Sequence, residues 1–123
     1  MRRVKLSLLG VVAGAMLLPG TVLAACETIT LGSAISLTGK YATNGMHAKN
    51  GYEFAIQKIK DAGGVKFGGK CYNFNVIYYD DESKGDRAAT LAERLINQDK
   101  VQYMLGPYSS GMTKAIAPVT EKY

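Results

Sequence analysis

Ser109 and Ser110 follow Gly106-Pro107-Tyr108 and open what reads as a helix. Free backbone N–H groups, the positive end of a helix dipole and two hydroxyls converge at such a place. Together they can hold a carboxylate without Lys or Arg. A plainer reading fits the same residues, in which one serine is only the N-cap of the helix; the two roles are compatible. Tyr108 stands in the same loop. Tyr41 and Asn44 belong to a second polar, Gly-bearing loop, residues 36–45, so Tyr41 and Tyr108 are the tyrosines placed to wall a pocket. The candidate ligand-binding residues are therefore Ser109, Ser110, Tyr108, Tyr41 and Asn44.

Other polar groupings promise less chemistry. His47 is the single histidine and has no partner at ligand spacing, so neither a metal site nor a catalytic triad is expected. No nucleophile stands beside a base, so the chain is not read as an enzyme and no cofactor is expected. Asp80-Asp81-Glu82 follows a strand, as the metal-binding carboxylates of a phosphorelay receiver would. An exported chain makes that reading poor. A solvated loop, with one carboxylate capping the next helix, is expected instead. Gly63-Gly64 and Gly68-Gly69 follow a helix and precede a strand, the reverse of the dinucleotide-binding order. They read as turns.

These loops need elements to carry them. Residues 28–35 and 71–79 are rich in β-branched and aromatic side chains and read as strands, and 101–106 as a third. Residues 46–61 place Ala48, Gly51, Tyr52, Ala55, Ile56 and Ile59 on one face of a helix, which Gly63-Gly64 ends. Residues 86–98 do the same with Ala88, Leu91, Ala92, Leu95 and Ile96. A third helix follows Gly111, with Pro118 expected to kink it. The order βαβαβα implies an α/β fold, a parallel sheet with helices on both faces. In such a sheet the loops at the C-terminal strand ends form the ligand crevice, and those are the loops of 36–45, 80–85 and 107–111.

The first 25 residues carry a different message. Arg2, Arg3 and Lys5 precede an apolar run over 6–18, and Pro19, Gly20, Ala24 and Ala25 follow. That order is a secretory signal peptide, and the run is short of the roughly 20 apolar residues of a membrane span. The mature part is then 26–123, in the periplasm. Of the 15 Lys and Arg, three lie in the leader, against none of the 10 Asp and Glu, so the mature part carries only +2. With no basic cluster either, nucleic acid is not an expected partner. Glu121-Lys122-Tyr123 reads as mid-helix, with no Gly, Pro or cap, and a three-stranded sheet would leave both edges bare. The chain is therefore expected to be a truncated piece of a longer protein.

The ordered set of motifs resembles the branched-chain amino-acid-binding proteins, the substrate-binding components of ABC importers. It comprises the leader, Ile29-Thr30-Leu31-Gly32, Ser36-Leu37-Thr38-Gly39, Gly45, Gly51 and Ala62-Gly63-Gly64-Val65. Tyr79-Asp80-Asp81, Gly106-Pro107-Tyr108-Ser109-Ser110, Ala117-Pro118-Val119 and Glu121-Lys122-Tyr123 complete it. The resemblance implies a two-lobed type I periplasmic binding protein, with 26–123 the N-terminal portion of its first lobe. It implies a small amino acid or related carboxylate as ligand, its α-carboxylate held by Ser110, and an ABC permease of the inner membrane as partner. The same fold serves as the sensory domain of receptors and regulators, which is the alternative reading.

Cys26 and Cys71 each stand just before a strand, and the first two strands are neighbours in this fold. Two cysteines in an exported chain are a natural pair, and a Cys26–Cys71 disulfide is expected. The rival is a lipoprotein signal at Leu23-Ala24-Ala25-Cys26, with a lipid on the Cys26 sulfur. One sulfur cannot do both.

Overall fold

The computed structural model describes residues 25–123. The leader expected over 1–25 lies outside the described residues, apart from Ala25. Along the described chain run β1 (Glu27–Ile35), α1 (Ala42–Asp61), β2 (Val65–Phe67), β3 (Lys70–Asp80), α2 (Gly85–Asn97), β4 (Tyr103–Met104) and α3 (Ser110–Lys122). β1 and β3 are the spine. They pair in parallel from Glu27 opposite Tyr72 to Ile35 opposite Asp80. β4 joins the other edge of β1, also in parallel, and the strand order is β2-β3-β1-β4.

The sheet departs from the expected three parallel strands at one edge. β2 pairs with β3 antiparallel. The cause is the turn between them: Gly68 and Gly69 stand at φ 57° and 76°, both left-handed, the backbone that a two-residue type I′ hairpin demands. The turn is visible in the sequence. The strand before it is not, because Val65, Lys66 and Phe67 are all exposed and show no apolar alternation.

Alternation along the strands divides the sheet into two faces. Ala34, Ile77 and Tyr79 face α2 and α3, and with Ala88, Leu91, Ala92, Leu95, Val101, Met112 and Ile116 they enclose the core. Leu95 is fully buried, which contributes about 1.5–3 kcal/mol. Gly32 shares this face, and a Cβ there would lie 2.9 Å from both Met104 and Val101. Ser33, Ile35 and Tyr78 point to the opposite face, under α1. The buried α2 stripe is Ala88, Leu91, Ala92 and Leu95, as its spacing predicts, while Ile96, expected on the same face, is only half-buried.

α1 differs from expectation. It begins at Ala42 rather than Met46, so the first ligand-end loop shortens to 36–41 and Asn44 sits on the first turn of the helix. The reason lies at Gly45, which the sequence suggests is a loop glycine. A Cβ on Gly45 would overlap the Ser36 carbonyl oxygen, so the glycine serves a close approach of helix to strand end. β4 is shorter than the expected 101–106, and the pairing extends past it only through Leu105 N–H to the Gly32 carbonyl, 2.8 Å. α3 runs through Pro118 to Lys122.

At the other end of the sheet Cys26 and Cys71 are joined as a disulfide, Cα to Cα 4.5 Å. The register already places Cys26 one step before the Glu27–Tyr72 pair. Gly64, at φ 85°, covers the bridge: a Cβ on it would come within 2.7 Å of the Cys71 Sγ and 2.9 Å of the Cys26 Sγ.

Candidate functional site

Because β1, β3 and β4 run parallel, their C-terminal ends lie on one side of the sheet. The connections 36–41, 81–84 and 105–109 gather there. Ser109 is the N-cap of α3, with extended backbone, and its Oγ accepts the Met112 N–H at 3.2 Å. Its carbonyl accepts from Thr113 N–H and hydroxyl at 3.0 and 3.1 Å. The capping role expected of one serine therefore falls to Ser109. Ser110 is the first residue of the helix and is exposed. Its N–H and that of Gly111 precede the first intrahelical bond. Two backbone donors and a free-standing hydroxyl thus meet at the positive end of α3, which suits a carboxylate.

Tyr41 and Tyr108 come together, ring centroids 6.2 Å apart and planes tilted by 51°. They play unequal parts. Tyr41 packs against the core, whereas Tyr108 is 52% exposed. Tyr41 is a pedestal and Tyr108 the ring it presents. Lys40 Nζ lies 5.2 Å from the Tyr41 ring centre. Asn44 stands one helical turn away on α1, half-buried. Ser109, Ser110, Tyr108 and Tyr41 thus form one neighbourhood, with Asn44 at its margin.

Asp80, the last residue of β3, and Asp81, the next, correct the expected solvated loop. Asp81 is fully buried. Its Oδ1 accepts the Ser36 hydroxyl at 2.6 Å and the Ser83 N–H at 2.7 Å. Asp80 Oδ1 accepts from the N–H groups of Leu37, Thr38 and Glu82 at 2.9, 3.1 and 2.9 Å, and Oδ2 from the Thr38 hydroxyl at 2.7 Å. Neither caps α2, whose N-cap is Lys84 without a side-chain bond. Partial burial pushes the Asp80 carboxyl up, but these four donors outweigh it and hold the group below the ordinary carboxylate value. The pair is a clasp between two loops.

Sequence reasoning also passed over Tyr52, placed on the apolar face of α1. Its hydroxyl donates to the Gly106 carbonyl at 2.8 Å, tying α1 to the loop that carries Tyr108. A polar tip on an apolar-face residue was the available signal. His47 is exposed, and no group of three metal-ligating side chains occurs among the described residues. Among the described residues, one concave surface of about 470 Å³ is lined by the β2–β3 hairpin and Glu27, and another of about 550 Å³ by Tyr103, Met104 and Tyr123. In the serine loop, Tyr108 and Ser110 are open to solvent.

A parallel α/β layer with donors collected at its C-terminal strand ends has the architecture of a ligand-binding lobe. Residues 28–123 match the profile of the family described as "Periplasmic binding protein", and the chain belongs to that family. It is similar to the Leu/Ile/Val-binding protein homolog 8 of Brucella abortus, 31% identical over 114 residues, 93% of this chain and 27% of that protein. Its structure is similar to that of LivJ from Streptococcus pneumoniae, a branched-chain amino acid transporter substrate binding protein solved in complex with isoleucine. That match has 31% identity, a TM-score of 0.69, and covers 78% of this chain and 26% of LivJ. The leucine binding protein LivK of Thermotoga maritima, 24% identical with a TM-score of 0.62 over 76% of this chain and 25% of its own, shares the fold. The chain spans about a quarter of the length of these relatives.

Proposed function

We propose that residues 26–123 are the N-terminal portion of the first lobe of a two-lobed periplasmic solute-binding protein. Its ligand is a small amino acid or related carboxylate, which it delivers to an ABC permease in the inner membrane; it performs no catalysis. The observation that carries this reading is the free N-terminal turn of α3, where the Ser110 hydroxyl and the N–H groups of Ser110 and Gly111 stand beside the Tyr41–Tyr108 pair. Ser110 takes the α-carboxylate, Ser109 shapes the turn, and Tyr108, Tyr41 and Asn44 line the near wall. The likeness to LivJ, solved with isoleucine, supports an aliphatic amino acid as the first ligand to try.

Titration calorimetry of the full-length protein with isoleucine, leucine and valine tests the proposal. Saturable binding of at least one is expected. Ser110→Ala removes one hydrogen bond to a charged group and should weaken binding by about 1.5–3 kcal/mol, roughly ten- to a hundredfold. Unchanged affinity in that variant removes Ser110 from the site.

A further inference from the structure

The β3–α2 connection adopts a backbone that its own residues disfavour. Glu82 and Ser83 stand at φ 53° and 61°, consecutive left-handed conformations in which a Cβ is crowded by its own backbone. The two aspartates hold them there, Asp80 accepting the Glu82 N–H and Asp81 the Ser83 N–H. The consequence is the location of one hydroxyl. Ser83 Oγ accepts the Tyr41 N–H at 3.0 Å and donates to the Thr38 carbonyl at 2.8 Å. It thereby bridges both sides of the bend in the 36–41 loop. The two loops also interlock sterically. Gly39 stands at φ 80°, and a Cβ on it would come within 2.7 Å of the Glu82 carbonyl oxygen and 2.9 Å of Ser83 Oγ. Disfavoured backbone held in place by its surroundings collects at functional sites, and here it ends at Tyr41, the pedestal of Tyr108.

We propose that Ser83 is a positioning residue for the ligand site. Its hydroxyl, set by the left-handed pair Glu82-Ser83, fixes the 36–41 loop and Tyr41. Through Tyr41 it sets the Tyr108 ring and the first turn of α1 that bears Asn44. Ser83 does this without touching the ligand. The inference rests on the ligand-site reading above.

Glycine substitutions separate backbone from hydroxyl. In the full-length protein, Glu82→Gly relieves one left-handed residue and keeps the hydroxyl. Ser83→Gly relieves the other and loses the hydroxyl, and Ser83→Ala loses the hydroxyl alone. Isoleucine affinity by calorimetry and Tm are measured for each, with Ser110→Ala in the same series. The expected result is wild-type affinity for Glu82→Gly and a loss of roughly tenfold for Ser83→Gly and Ser83→Ala, about one hydrogen bond's worth. Tm should stay near wild type in Ser83→Gly, because the relieved backbone offsets the lost bonds. Wild-type affinity in both Ser83 variants, with Ser110→Ala weakened, overturns the positioning role alone. Wild-type affinity in all of them, Ser110→Ala included, overturns the site reading as well. A fall in affinity that tracks Tm across the series assigns Ser83 to general stability and also overturns the proposal.

Discussion

Where β1 and β3 begin, the Cys26–Cys71 bond joins them and Gly64 closes over it. Where they finish, Asp80 and Asp81 join the same two strands' loops through hydrogen bonds, and Gly39 is the glycine that permits the contact. Both ends tie the same two strands, by different chemistry. A disulfide is indifferent to pH and holds one geometry. A carboxylate with several donors titrates, and it can yield one bond at a time. The candidate ligand groups all stand at the second end. On the function proposed above, a rigid base and an adjustable rim would let these loops settle around a small solute, since moving elements are drawn from the less stable parts of a fold.

The largest expected effect breaks the rigid end. The double variant Cys26→Ser with Cys71→Ser frees a loop closed across 45 positions. It should lose about 3–4 kcal/mol by loop-closure entropy, read as a lower urea midpoint, while isoleucine affinity of the folded protein holds. Intact mass sharpens the point. The mature protein should gain the mass of two hydrogens on reduction and carry no lipid on Cys26; an acyl-bearing Cys26 would mean a free Cys71 and no covalent base.

A smaller effect breaks the rim. Asp80→Asn keeps an acceptor but loses the charge that four donors share. It should cost about 1–2 kcal/mol at pH 7, toward the low side for charged hydrogen bonds because the group is partly in water. The folded-state value is lowered, so the stabilisation is present above the ordinary carboxylate pKa and is lost as pH falls through the lowered one. Denaturation curves from pH 7 to acid should show that loss in the wild type and a reduced loss in the variant.

The smallest effect lies between the two ends. Tyr78, opposite Ser33 under α1, is pushed up to about 12 by burial first and by the nearby Glu53 carboxylate second. Its hydroxyl makes no well-formed hydrogen bond among the described residues, although the Glu53 carboxylate stands close enough to favour the protonated phenol. A raised folded value means stability intact below the ordinary tyrosine pKa and lost as pH rises toward about 12. Tyr78→Phe should change stability at pH 7 by less than about 1 kcal/mol and flatten the alkaline limb.

Much of the fold was legible in the residues. The α2 stripe of Ala88, Leu91, Ala92 and Leu95 follows from spacing, because burial on one face repeats with the period of the helix, and the strands around Leu31 and Val76 follow from their β-branched and aromatic residues. The Cys26–Cys71 pair was legible once two adjacent strands were. β2 was not, because an edge strand exposed on both faces needs no apolar pattern. The start of α1 was not, because Gly45 in sequence gives no sign of whether it serves a turn or a close contact.

The candidate site divides the same way. A serine pair after a strand marks a helix N-terminus in any chain, so a cap and an open donor follow from residue order and helix dipole, but that Ser109 is the cap was decided by where α3 begins. Sequence alone also determined the α/β class and which loops share an end of the sheet. The clasp was decided only in three dimensions. Asp80 and Asp81 stand over 40 residues from Ser36, Leu37 and Thr38, and every one of those bonds exists because β1 and β3 are neighbours in register to Ile35 and Asp80. A charged run on paper and a carboxylate held by four donors, as Asp80 is, differ only in what the fold brings to them, and local sequence holds no record of a partner that distant.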